Sequence, residues 1–232
     1  LMGLLVFVVH CHKTTVILDE PIFLNPQKRT ELLSTLEEIC QWAIDSDLGS
    51  GRLEIDARRK TSIFVNSNLG RVLLAGYDLT QKEAYLDESL RWFDHLVELQ
   101  QETTTPDGRV AGYWGDLSPD GNIYLGDAGT AATALAGAVR YATGDRKKRY
   151  LNSLEKYADF VRFGTQTDPQ NRGRGGSQGW IIQEGPYAGA LGCGYYRGEL
   201  STAPYTISTA VTGGGFFSAL YLLTDNPDYI EI

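Results

Sequence analysis

Residues Tyr124–Asp145 read YLGDAGTAATALAGAVRYATGD. The segment is rich in helix formers, yet no charge falls between Asp127 and Arg140. A helix at a protein surface needs a charged face. This one has Gly, Ala and Thr where Lys and Glu would stand, so the sequence predicts a helix buried on all sides and packed closely by its neighbours. Gly126-Asp127 marks its start. An Asp there either caps free backbone N–H groups or points into whatever cavity the helix end faces.

Working outward, two further segments have the same plan. Leu73–Val97 reads LLAGYDLTQKEAYLDESLRWFDHLV, and Phe217–Ile232 reads FSALYLLTDNPDYIEI. Each has a small or apolar helix, a turn at Thr80, Thr143 or Thr224, and a Tyr (Tyr85, Tyr150, Tyr229) that opens a second helix. Repetition of this kind signals stacked supersecondary units. The second helices are amphipathic. Leu86, Leu90, Phe93 and Val97 recur at steps of three or four with Asp87, Glu88, Arg91 and Asp94 between them, and Leu151, Leu154, Tyr157, Ala158 and Val161 repeat the pattern. One helix of each pair is therefore inner and the other outer. Inner helices are expected near Thr61–Tyr77, Asp127–Ala142 and Thr206–Leu223, and outer helices near Lys82–Gln100 and Arg146–Phe163. Gln27–Ile44 adds an amphipathic helix with the stripe Leu32, Leu33, Leu36, Ile39 and Trp42.

Long Gly-rich links, Thr103–Asp127 and Gly164–Tyr205, each precede an inner helix. Loops of this length in a compact domain are functional or disordered. Trp114, Tyr124, Trp180, Tyr187, Tyr195 and Tyr196 argue for order, because disordered segments are poor in aromatics. The links are expected to gather at one rim.

Composition bounds the partners. The net charge of −8 disfavours nucleic acid, whose phosphates attract a basic face. No stretch reaches the roughly 20 apolar residues of a membrane span. The apolar run Gly3–Val9 reads as the end of a secretory signal or as a buried strand. Residues 1–26 are accordingly set apart from a domain at 27–232, and a secreted or extracellular location is expected, with a cytoplasmic one as the alternative. Cys40 and Cys193 are a possible pair that spacing cannot establish, and no Cys/His cluster suggests a metal.

GDAGTAATALAGAVRYATGD, YTISTAVTGGGFFSALYLLTDNPDY and SIFVNSNLGRVLLAGYDLT together resemble the (α/α) toroid of the six-hairpin glycosidase-like superfamily. The resemblance covers about Gln27 to the last residue. It implies an all-α fold of helical hairpins, here an incomplete toroid or a fragment, acting on carbohydrate without a cofactor. In that family the N-terminal ends of the inner helices and the loops before them line a cleft. Carried over, this places Asn66, Asn68 and Arg71, then Asp127 and Thr130, then Tyr205, Thr206 and Ser208 at the cleft, with Trp114, Asp116, Tyr124, Trp180, Gln183 and Glu184 from the loops. Asp127, Asp116 and Glu184 are the candidate catalytic carboxyls, since sugar hydrolysis uses two, one held protonated. The loop carboxyls read equally as solvated charge. Trp114, Trp180, Tyr124, Asn66, Asn68, Arg71 and Tyr205 are the candidate sugar-binding residues, the indoles as stacking platforms. A basic loop at Asn171–Arg174, with Arg197, reads either as charge that keeps the loop soluble or as a contact for an acidic sugar. A polysaccharide lyase with Tyr205 as base, or a glycan-binding or structural module without turnover, are the alternatives. Scarcity of His weakens epimerases, and the lack of an Asp-rich run weakens terpene cyclases.

Overall fold

The computed structural model describes residues 25–47, 63–118, 121–165, 179–196, 199–200 and 203–230. The candidate signal run, Cys11, the basic loop 171–174 and Arg197 lie outside them. The chain divides into two compact units, Leu1–Thr35 and Leu36–Ile232. In the first, the described residues open helix α1 (Pro26–Asp45), where the Asn25 carboxamide oxygen accepts the Lys28 N–H at 2.8 Å, as an N-cap side chain does.

The second unit is mostly helical. After the rest of α1 come α2 (Ile63–Thr80), α3 (Glu83–Leu99), α4 (Leu125–Ala138), α5 (Gly144–Phe163) and α6 (Thr206–Thr224). These bounds agree with the periodicity to within a few residues, and few short strands interrupt them. α4 packs between α2 and α6, while α3 packs on α2 and α5 packs on α4 and α3. The small-residue helices thus form one layer and the amphipathic helices another.

Turn chemistry explains why the hairpins repeat. Thr80 and Thr224 each donate their hydroxyl to the carbonyl four residues back, Gly76 and Leu220, at 2.7 and 2.8 Å. Each hydroxyl then accepts the backbone N–H two residues on, from Lys82 and Asn226. The residue between has a left-handed backbone at Gln81 (φ 58°) and Asp225 (φ 55°), and Gly144 takes the same place (φ 55°) in the second hairpin. A left-handed residue is how helices commonly stop.

α4 is buried on nearly all sides, with eleven of its fourteen residues in the core. Its glycines set the spacing to α6. A Cβ on Gly129 would stand 1.9 Å from the Thr212 hydroxyl oxygen, so only Gly permits this approach. Thr212 in turn donates to the Leu125 carbonyl at 2.6 Å. Within α6, Thr209–Phe217 is wound as a π-helix through Gly213-Gly214-Gly215, a looser winding that long α-helices rarely adopt.

The outer helices supply the bulk of the core: Trp92, Phe93 and Leu96 from α3, and Tyr150, Leu154, Tyr157 and Phe160 from α5. One expectation about α3 is corrected here. Glu88, read as part of its solvated face, is 4% exposed. It pairs with Arg91, whose guanidinium also meets Asp47 at 3.3 Å. Burial and the nearby Asp47 hold the Glu88 carboxyl above the ordinary Glu range. Cys40 and Cys193 are both free thiols, so the possible pairing is not made.

The two long links are ordered where they are described. The first forms a hairpin of β1 (Gln101–Thr104) and β2 (Val110–Tyr113). Its strand β3 (Asn122–Tyr124) pairs with β4 (Gly194–Tyr196) of the second link, and β4 pairs with β5 (Glu199–Leu200). The links therefore meet in one small sheet at the start of α4, at the rim the sequence predicts. Among the described residues α6 alone is long and apolar enough to cross a bilayer. It is a marginal case, so the described residues hold no clear membrane span.

Candidate functional site

A cavity of about 280 Å³ opens at this rim. Hairpin geometry puts it there: the start of α2 (Ile63), the end of α3 (Leu99) and the start of α4 (Asp127) converge, and the links close the sides with Gln101, Trp114-Gly115, Asn122 and Tyr124. The wall is rigid. The Gln101 amide donates to the Gly115 carbonyl at 3.0 Å and accepts from the Tyr113 hydroxyl at 3.0 Å. The Trp114 indole donates to the Leu96 carbonyl at 2.8 Å and its ring packs on Tyr157.

Asp127 answers the question its position posed. The residue flanking the α4 N-terminus is Tyr124, with no side-chain cap bond, and the Asp127 carboxyl makes no hydrogen bond or ion pair among the described residues. It lines the cavity instead. Although reached by solvent from the cavity side, it is set deep enough in the protein that desolvation raises its pKa above the ordinary Asp value. The cause is loss of water around the charged form. Beyond the cavity wall, burial and the Asp127 charge push the Cys193 thiol up, which leaves it a weak nucleophile.

Of the residues chosen from sequence, Asp127, Trp114 and Tyr124 share this cavity. The others do not line it. Asp116 follows Gly115, but its carboxylate is exposed and closes a local turn by accepting the Ser118 N–H at 2.7 Å. Glu184 is exposed in the turn after Ile182. Asn66 is buried in a small recess with Glu88 and Trp92. Asn68 donates back to the Phe64 carbonyl within α2, and Arg71 is exposed farther along it. Tyr205 is exposed at the N-terminus of α6, its N–H bonded to the Leu191 carbonyl.

The indoles need correction as platforms. Trp114 and Trp180 are 2% and 6% exposed, and Trp180 packs on Phe160. A pyranose stacks on an open ring face, and neither indole offers one. Tyr124, at 40% exposure, is the cavity's open ring. Ile63, Leu99, Gln101 and Asn122 were missed, because nothing local distinguishes them; only their places at hairpin ends, next to the links, would have marked them.

Comparison of the chain with protein-family models, with curated proteins and with solved structures finds no match to any of them.

Proposed function

We propose that this chain is a carbohydrate-active protein of the (α/α) toroid type, resembling the six-hairpin glycosidase-like superfamily, in which the rim cavity holds one sugar ring and Asp127 is the proton donor. One observation carries the reading. A carboxyl with a raised pKa and no partner among the described residues opens on a cavity beside an exposed aromatic ring. The raised pKa keeps a larger share of Asp127 protonated, which a general acid requires. In hydrolysis it gives that proton to the glycosidic oxygen as the bond to the anomeric carbon breaks, while a water forms the new bond to that carbon and gives up a proton to a carboxylate base. Tyr124 offers a face for the ring, and the Asn122 and Gln101 amides supply groups of the type that bind hydroxyls. At about 280 Å³ the cavity lies just below the roughly 300 Å³ at the low end of small-molecule sites, so it suits a single ring better than an enclosed chain. Asp116 is the next candidate carboxyl along the chain from the cavity wall at Gly115, but it is exposed and bound to the Ser118 N–H, so a role as the second carboxyl requires it to leave that turn. The preference for an acidic oligosaccharide rests on the basic loop alone.

A second reading, a glycan-binding module without turnover, is favoured by the fact that Asp127 is the one carboxyl lining the cavity among the described residues. The test is a product screen of the full chain against oligosaccharides, neutral and uronate-containing, with Asp127→Asn beside it. Hydrolysis abolished by Asp127→Asn with binding kept supports the acid role. Binding without any product supports the module. Turnover unchanged in Asp127→Asn overturns the assignment of Asp127.

A further inference from the structure

Of the described residues that line the rim cavity, Asp127 alone is charged. No described group of the wall answers that charge. The Trp114 indole N–H goes to the Leu96 carbonyl, and a Gln101 amide N–H goes to the Gly115 carbonyl. The first N–H of α4, on Leu125, is taken by the Cys193 carbonyl at 2.9 Å. Among the described residues no charged group acts on the Asp127 carboxyl, and loss of water is the one influence on its titration. Its own charge is felt through the wall, where burial and then Asp127 push the Cys193 thiol up. A carboxylate that water screens poorly acts on its neighbours in this way.

A partly desolvated carboxylate without a cation is a group that a ligand's cation would stabilise. Tyr124 stands three residues before Asp127 at the start of the same helix, a spacing that brings side chains to one face, and its ring is exposed. A carboxylate beside an open phenol face suits an organic ammonium ion. The N–H groups donate to the carboxylate, and the positive charge lies over the electron-rich ring face. Ile63 and Leu99 give the carbon skeleton of such a ligand an apolar wall, and the volume of about 280 Å³ matches one ring. An anionic ring would set a second carboxylate beside Asp127, and like charges repel most where water is excluded. A neutral ring would leave Asp127 without a counter-ion.

Given the reading of the rim cavity as a site for one ring, in its form without turnover, we infer that the ring carries an ammonium group, paired with Asp127 and set against the face of Tyr124. The ammonium stands where the proton of a general acid would stand, so the carboxyl serves as counter-ion instead of donor. The acidic preference drawn from the basic loop concerns residues outside the described ones, and the charge of the cavity itself points the other way. An amino sugar and a plain cyclic amine share this chemistry. They differ in the ring hydroxyls, which only the sugar offers to the cavity's amides.

The experiment is calorimetric titration of the full chain with glucosamine, glucose, glucuronate and cyclohexylamine, at about pH 6, between the ordinary carboxyl and amine ranges. Glucose has a hydroxyl where glucosamine has its ammonium, and cyclohexylamine keeps the charge without the hydroxyls. Glucosamine is expected to bind at least about tenfold more tightly than glucose, the scale of one hydrogen bond to a charged group, and glucuronate more weakly than either. Asp127→Asn keeps the shape of the side chain, and circular dichroism checks that it keeps the fold. It should bring glucosamine down to the level of glucose. Cyclohexylamine that binds where neither sugar does, and is lost in Asp127→Asn, supports the ammonium site and overturns the carbohydrate reading. Equal binding of glucosamine and glucose, or a preference that survives Asp127→Asn, overturns the inference and leaves the carbohydrate reading standing. Preference for glucuronate, or no binding of any probe, overturns it as well. So does calcium chloride that binds where the amines do not, which would make the site one for an inorganic cation.

Discussion

Two helices of the same repeat, α4 and α6, share a composition and differ in environment. Both are free of charge along their packed lengths and rich in Gly, Ala and Thr. α4 is enclosed, and its exposed residues are Asp127 at the cavity and Gly137 farther along. α6 buries Ser208, Thr212, Phe216, Phe217 and Leu220 and leaves Ile207, Ala210, Gly214, Ser218 and Leu222 open. The difference teaches that small-residue composition records what a helix is built to pack against. It does not record which of its faces is covered within the chain.

The largest expected effect tests enclosure directly. Leu135 of α4 is fully buried, so Leu135→Ala removes packed methyl groups and leaves a cavity, with an expected loss of about 2–5 kcal/mol in urea denaturation. Next comes the close approach of α4 to α6. Gly129→Ala drives a Cβ into Thr212, an overpacking expected to cost about 1–3 kcal/mol. A wild-type midpoint for Gly129→Ala would mean that the two helices separate freely, and the contrast between them would lose its basis.

The third effect is smaller and depends on pH. Folding raises the Asp127 pKa, so the unfolded chain gives up this proton more readily than the folded one. Well below the ordinary Asp value of about 3.9 both states are protonated and the residue is neutral to stability. As pH rises through the interval up to the folded pKa, the wild type loses stability relative to Asp127→Asn, and above it the gap is constant. Thermal midpoints of the two proteins measured from acid to neutral pH should diverge in favour of Asn and then run parallel. A wild type that instead gains on Asp127→Asn as pH rises would show that Asp127 is stabilised as the anion. The smallest effect belongs to the open face. Leu222→Ala should shift stability by no more than about 0.5 kcal/mol, as surface substitutions do, and a loss on the scale of Leu135→Ala would mean that the face is covered.

The mostly helical character of the fold was legible because its signals are local. Steps of three and four residues along α3 and α5, and the missing charges in α4, are written into neighbouring positions. The turns after α2 and α6 use a Thr hydroxyl that reaches only four residues back and two forward. The candidate site was legible in part. Asp127 and Tyr124 were found because they begin a helix whose burial the sequence announces.

Sequence by itself determined where the helices lie, which of each pair is small-faced, and that a carboxyl stands at the start of the enclosed one. Tertiary structure decided the rest. The pairing of β3 with β4 joins residues such as Ile123 and Tyr195, far apart in the chain, and it fixes what each link residue faces. It is at this level that Trp114 and Trp180 sink into the core against Tyr157 and Phe160, that Asp116 turns to its own backbone, and that Glu88 is drawn inward beside Arg91 and Asp47. A helix face is set by a period of 3.6 residues and can be read from a short window. A loop side chain points wherever distant segments leave room for it, and no window of sequence contains those neighbours.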